Sequence, residues 1–261
     1  MIDLKSINLY RRIINQNKFP LDSSRSIPGL YYHGVILSGE YGWYAVLNIS
    51  ESGMLQSPNY IAYWDSDFAS DYKSIRDAKI SELKYNGGGS GGLTPTALHY
   101  IYAASGIRLG FHPEKGSIKL TKRQEEHIVK RSNIEIKFEI ERRRIASNAP
   151  SRLDSLFIAD NKDIICRMFD NHPDLLILKV KIAEALRFIK VDSAWYSEYW
   201  KNRSKKYIKR YWMSKPYKEN TDCWEYLVDG LLVVDDPEGL EWIRSRREEL
   251  DQENVNLEAS I

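Results

Sequence analysis

The sequence predicts an α+β protein in which helices flank a mixed β-sheet. Three observations carry that prediction: a β-favouring run between glycines at 29–37, a strand–helix–strand alternation at 151–181 behind a long charged helix, and an apolar, β-rich run at 224–234. With 261 residues, 43% apolar and 28% charged, the chain holds enough apolar material for a packed core, which excludes a disordered or fibrous protein.

Leu4, Ile7, Tyr10 and Ile14 recur at helical spacing up to Phe19-Pro20, which predicts a short N-terminal helix. Gly29 to Leu37 reads as a strand, and Gly42-Trp43-Tyr44-Ala45-Val46-Leu47 as the second strand of a hairpin. Met54 to Tyr72 keeps no sustained period and reads as irregular structure with short elements. Asn86 to Gly92 is glycine-rich and coil-forming; it lacks the lysine and Ser/Thr of a phosphate-binding P-loop and reads as a linker or mobile loop. Thr94 to Ala104 returns to helix-compatible residues. Thr121 opens a helix whose stretch from Glu125 to Arg144 is dense in charge, with Ile128, Ile134, Phe138 and Ile145 toward one buried face and Pro150 as its stop. Ser151 to Ala159 then reads as a strand, Asp163 to Phe169 as a short helix and Leu175 to Lys181 as a strand. Trp224 to Val234 holds one or two buried strands, and Pro237 to about Gln252 a polar helix with an acidic tail. The expected organisation is one domain over residues 1–235, with a flexible loop at 86–92, followed by that C-terminal helix and tail over 236–261.

The formal charge of +2 conceals a segregation. Between Lys201 and Lys218 stand eight basic residues and no acid; from Asp235 onward nine acids face three arginines. Cys166 and Cys223 are too few for a disulfide framework and lack zinc-site spacing, and no His, Cys or carboxylate cluster has metal-ligand spacing, so no metal is expected. The first residues do not read as a signal peptide, and no apolar run approaches membrane-spanning length. A cytoplasmic setting, or delivery into a target cell's cytoplasm, is expected.

Two segments suit chemistry. In Pro150-Ser151-Arg152-Leu153-Asp154-Ser155 an arginine fork and hydroxyls stand near a strand terminus, a combination that suits a pyrophosphate; the competing reading is that Arg152 pairs with a glutamate such as Glu141 while Ser151 caps a turn. Glu225, between Trp224 and Tyr226 at the head of a buried run, suits stabilisation of a cationic sugar, against the alternative of an exposed acid at a strand entrance. On the first strand His33 suits a hydrogen bond to a ribose hydroxyl, or is simply a satisfied, partly buried side chain.

The order charged helix, Pro150-Ser151-Arg152-Leu153-Asp154-Ser155-Leu156-Phe157, Tyr211-Trp212, then Glu225-Tyr226-Leu227-Val228-Asp229-Gly230-Leu231-Leu232-Val233 resembles bacterial and phage proteins related to ADP-ribosyltransferases, over about residues 121 to 235. Separately, Tyr31-Tyr32-His33-Gly34 is similar to the first motif of the diphtheria-toxin and poly-ADP-ribose-polymerase side of that superfamily. The resemblance implies a split, mixed β-sandwich core that clamps NAD, with glycosyl transfer to a macromolecule and release of nicotinamide. It implies Glu225 as the catalytic carboxylate and Arg152 on the pyrophosphate. Ser151 would belong to the NAD-binding residues, Ser155 would support the ribose or that loop, His33 would hold a ribose hydroxyl, and Tyr32, Tyr211 or Trp212 would stack on nicotinamide.

In that family the stretch before the glutamate helps choose the acceptor. Here Lys205, Lys206, Lys209 and Arg210 are interleaved with aromatics, a pattern that suits RNA or single-stranded DNA; a solvated amphipathic helix with its rings turned inward fits equally well. A protein acceptor or antitoxin stays open. Three readings therefore stand: an NAD-consuming toxin, effector or phage-conflict enzyme; a non-catalytic nucleic-acid-binding protein using residues 201–218; and a degenerate relative that docks a protein through aromatic surface.

Overall fold

The computed structural model describes residues 23–37, 39–71, 78–81, 96–109, 114–115, 118–119 and 121–258. The expected N-terminal helix and the glycine-rich segment at 86–92 lie outside them. The chain divides into two compact units: the first is Met1–Gln56, Phe157–Ala185 and Gly230–Ile261, the second Ser57–Leu156 and Leu186–Asp229.

Strands β1 (Ile27–Ile36), β2 (Met54–Gln56), β5 (Leu156–Ala159), β6 (Leu175–Asp192) and β7 (Trp224–Val234) form a five-stranded sheet in the order β2-β7-β5-β1-β6, with β6 also pairing with β7. A separate two-stranded ribbon joins β3 (Glu114–Lys115) to β4 (Ile118–Lys119). The large sheet is antiparallel rather than mixed. β5 and β6 each pair antiparallel with β1, through Tyr32↔Ala159 on one side and His33↔Leu178 on the other. The two strands around the short helix α6 (Lys162–Met168) therefore run in one direction but are not neighbours, because β1 lies between them. That is how a strand–helix–strand alternation coexists with antiparallel pairing.

In the first unit the segment expected as a second hairpin strand is instead a helix, α1 (Gly39–Ser52). Val46, Leu47, Ile49 and Ser50 are its buried positions, a three- and four-residue spacing that belongs to a helix face. An apolar run of six residues has no period of its own, so tertiary packing decides it. Helix α9 (Pro237–Glu258) packs against α1, where Arg247 pairs with Glu51 at 2.7 Å. Ala159, Ile164 and Ile165 form a core beneath β1 with Tyr32, Phe169, Leu175 and Ile177. Gly230 marks the closest strand approach: a Cβ there would lie 2.1 Å from the Glu184 carbonyl oxygen and 2.9 Å from the Ala185 Cα. All three nearest atoms are β6 backbone, so nothing there can swing away. Gly230→Ala is expected to cost about 2–3 kcal/mol, read as a lower denaturation midpoint at unchanged m-value.

The second unit is organised by α5 (Lys122–Ile145), with α4 (Thr96–Arg108) and α8 (Lys205–Trp212) packed on it and α7 (Ala194–Asn202) packed on α8. The expected start of α5 is present as a capping box: Thr121 Oγ accepts from the Gln124 amide while the Gln124 side chain accepts from the Thr121 amide. Its end comes before Pro150, at Ala146. Ile134, Ile136 and Phe138 are buried as a helix face should be, but so are Glu135, Glu139 and Arg142. Between Met54 and Tyr72 the irregular region resolves into β2 and two short helices, α2 (Pro58–Trp64) and α3 (Ser66–Asp71). The strand expected from Ser151 begins only at Leu156, and residues 151–155 form a turn.

Candidate functional site

The turn after α5 is built by charge. Arg142 grips Glu139 through two nitrogens, at 2.9 and 2.8 Å, and its remaining terminal nitrogen donates to the carbonyls of Ser147 and Ala149 at 3.0 and 2.9 Å. Ser151 Oγ donates to Glu139 Oε2 at 2.8 Å and accepts the Leu153 amide at 3.1 Å. The hydroxyl thus closes the turn, and the chain leaves it with Arg152 directed inward.

Arg152 is 8% exposed and joins four separate segments. Its Nε meets Glu135 Oε2 of α5 at 3.0 Å, and its Nη1 meets Glu225 Oε1 of β7 at 2.9 Å. Nη1 also donates to the Tyr211 hydroxyl of α8, and that hydroxyl donates to the same Glu225 oxygen. Tyr196 of α7 donates to Glu135 Oε1 at 2.8 Å, and the guanidinium lies 4.4 Å from the Tyr196 ring centroid. Phe138 packs edge-on to Tyr211 and closes the cluster. The bonds that reach Glu225 both fall on Oε1, which leaves Oε2 without a hydrogen-bond partner among the described residues.

Burial opposes the Arg152 charge, but Glu135, Tyr211 and Glu225 together hold its pKa well above the ordinary arginine value. Burial also raises the Tyr211 pKa far enough, against Arg152, to keep the phenol protonated as a donor. For Glu225 burial raises the proton affinity while Arg152 and the Tyr211 hydrogen bond pull it back, and the net shift is upward. A carboxylate so placed is held at one oxygen and tuned by a fixed cation.

Nearby in chain, a second buried acid is held differently. Asp154 accepts from Asn59 Nδ2 at 2.8 Å, and burial together with the charge of Asp229 pushes its pKa up to about 7. Asp229 in turn takes Ser57 Oγ at 2.7 Å and Arg187 Nε at 2.8 Å.

The structure gathers Arg152, Tyr211 and Glu225 in one unit, while Ser151, next to Arg152 in the chain, turns its hydroxyl to Glu139. Ser155 is buried beside Asp154, its Oγ without a hydrogen-bond partner among the described residues. Trp212 is 3% exposed and donates to the Phe138 carbonyl at 2.9 Å, so its ring is a core ring. Lys205, Lys206, Lys209 and Arg210 all stand exposed on α8, while Ile208, Tyr211 and Trp212 face inward. Tyr32 and His33 belong to the first unit. There His33 Nδ1 lies 2.7 Å from the Phe157 carbonyl, and burial lowers its pKa, which keeps the imidazole neutral. Half-buried Tyr32 carries the Lys162 ammonium 5.4 Å above its ring.

A pairing of Arg152 with Glu141 does not form, because Glu141 takes Arg144 at 2.6 Å. The partner is Glu135, which the sequence reading missed along with Tyr196. A signal for it exists: Glu135, Phe138, Glu139 and Arg142 follow the three- and four-residue spacing of a buried face.

Among the described residues no helix is long and apolar enough to cross a membrane. No curated protein matches the chain. The family described as a protein of unknown function, DUF2441, matches residues 97–242, which carry Glu135, Arg152, Tyr196, Tyr211 and Glu225 alike, and the chain belongs to that family.

Proposed function

We propose that the chain transfers ADP-ribose from NAD to a macromolecular acceptor, and that its sheet is of the ADP-ribosyltransferase type. One observation carries the reading: Arg152, Tyr211 and Glu225, distant in sequence and singled out by the resemblance, meet at a single carboxylate oxygen. Had Arg152 and Glu225 stood apart, a pure nucleic-acid-binding protein would be the better account.

In this reading the bond between the ribose C1′ and the nicotinamide nitrogen breaks, nicotinamide leaves with the electron pair, and the acceptor nucleophile attacks the oxocarbenium-like carbon and releases its proton. Glu225 supplies the charge. Its Oε2 takes the ribose 2′-hydroxyl while Oε1 stays fixed by Arg152 and Tyr211, a preorganised arrangement that needs no reorientation as positive charge develops. Arg152 acts as the positioning residue that keeps this carboxylate ionised, since its donors are already engaged by Glu135, Tyr211 and Glu225. The pyrophosphate is then left to other cations.

The test is transfer of label from NAD carrying label in its adenylate half, with RNA, single-stranded DNA or cell lysate as acceptor. Wild type is expected to label one fraction, and Glu225→Gln to lower the rate about a hundredfold or more. Equal labelling by the variant, or none by wild type in any mixture, overturns the reading.

A further inference from the structure

A groove of about 530 Å³ runs along α5 in the second unit, between α4 and the segment that joins α7 to α8. Its walls carry Lys122, Lys130, Lys137 and Arg203 against two acids, Glu125 and Glu126, and its floor is apolar, with Val129 and Ile134. The three lysines are eight and seven residues apart, which lays them along about 22 Å of one helix. Lys122, Lys130 and Lys137 are exposed, and none of the four cations makes an ion pair among the described residues.

Five arginines of this unit, Arg142, Arg143, Arg144, Arg152 and Arg187, each face a carboxylate. Two of the groove's cations, Lys130 and Arg203, lie over the ring of Trp200, which adjoins the groove without lining it. Lys130 Nζ lies 5.1 Å from the ring centroid of half-buried Trp200 and the Arg203 guanidinium 5.0 Å, with the His127 ring 5.7 Å away. Directly after Arg203, the exposed row Lys205, Lys206, Lys209 and Arg210 continues the charge on α8, where the rings of Tyr211 and Trp212 are turned into the core. On α8 half-buried Tyr207 also carries a cation, Lys206 Nζ at 5.0 Å from its ring centroid; what the groove adds is a cleft with an apolar floor beside its cations and Trp200.

We infer that this groove binds single-stranded nucleic acid, with phosphates along Lys122, Lys130, Lys137 and Arg203 and an unpaired base against Trp200. Unneutralised cations spaced along a track suit a polyanion, because each phosphate contact releases a counterion. A half-buried indole beside them suits a base with an open face, which a duplex does not present. The inference goes beyond the transfer reading and does not depend on it, since binding is measured without NAD.

The experiment is fluorescence anisotropy of a labelled oligothymidylate and a labelled oligouridylate with the full chain at several salt concentrations. Lys130→Glu with Lys137→Glu is expected to weaken binding tenfold or more at about 0.1 M salt and to reduce the slope of log K against log salt by about 1.4. Trp200→Ala is expected to weaken it fivefold or more with the slope unchanged. The control pair Lys179→Glu with Arg244→Glu makes the same change in net charge at exposed positions of the first unit and is expected to leave binding within twofold. The inference is overturned if neither oligonucleotide binds, if the control pair weakens binding as much as the groove pair, or if Trp200→Ala changes nothing. Displacement of the oligonucleotides by poly-glutamate at equal charge concentration also overturns it and assigns the groove to an acidic protein.

Discussion

Replacing Arg152 with Met is expected to cost about 3–5 kcal/mol of folding stability, the range for removing one partner of a buried ion pair. The size follows from what stays behind. Glu135 and Glu225 are 1% and 2% exposed, and both lose their cation at once. Tyr196 and Tyr211 each still donate to one of them, but a neutral hydrogen bond does not replace a guanidinium. Glu225, whose proton affinity burial already raises, loses the cation that pulled it back and takes up a proton in the folded state, so its folded pKa lies further above its unfolded one. The variant's folding is then strongest below the ordinary carboxylate range and weakens as pH rises through the raised value. Urea denaturation at pH 5 and pH 8 reads this directly: the cost of Arg152→Met is smaller at pH 5. Adding Glu135→Gln and Glu225→Gln is expected to recover part of the loss, because the uncompensated charges go with them. An equal cost at both pH values would mean that lost packing, not stranded charge, is the cause.

The second large effect belongs to Asp154. Its pKa rises from 3.8 to about 7, through burial first and the Asp229 charge second. A raised folded value means that the native state holds this proton more tightly than the unfolded chain. Stability from Asp154 is fully present below about pH 4 and is lost as pH climbs to 7, after which the loss is constant. The shift corresponds to about 4 kcal/mol across that window. Asp154→Asn keeps an oxygen for the Asn59 amide and removes the ionisation. Relative to wild type, the variant is expected to gain stability steadily from pH 4 to pH 7 and to be more stable by up to about 4 kcal/mol at pH 8. The difference between the two proteins isolates this residue from every other titrating group. A difference that does not change with pH would place the Asp154 proton outside that window.

The elements with strong local signals were legible in the sequence. The helix start at Thr121, the β-rich run into Val234 and the Pro237 helix start all depend on chemistry within a few residues, and each is in place. What failed depends on partners far away in the chain. Gly42 to Leu47 carries aromatic and β-branched residues, yet it lies within α1 because Val46 and Ile49 find a core there. Ser151 to Ser155 is held as a turn by Glu139 and Arg142, residues of the preceding helix whose charges look solvated in a sequence so rich in Glu and Arg. The same masking hid Glu135. Arg152 and Glu225 could be singled out one by one, but that they share an atom's neighbourhood with Tyr211 is a property of three-dimensional packing.

In the function proposed, Glu225, fixed at one oxygen and raised in proton affinity by burial, acts on NAD. Nicotinamide release from NAD, followed over pH for wild type and for Glu225→Gln, tests it most directly. Wild type is expected to show a rate that rises with pH through an inflection above the usual glutamate value, as the carboxylate ionises. The variant, whose amide oxygen still accepts from Tyr211 and whose Arg152 keeps Glu135, is expected to be less stable than wild type but folded, and to stay about a hundredfold or more slower with no inflection. A Glu225→Gln protein that releases nicotinamide at the wild-type rate, with the wild-type pH profile, would contradict the claim.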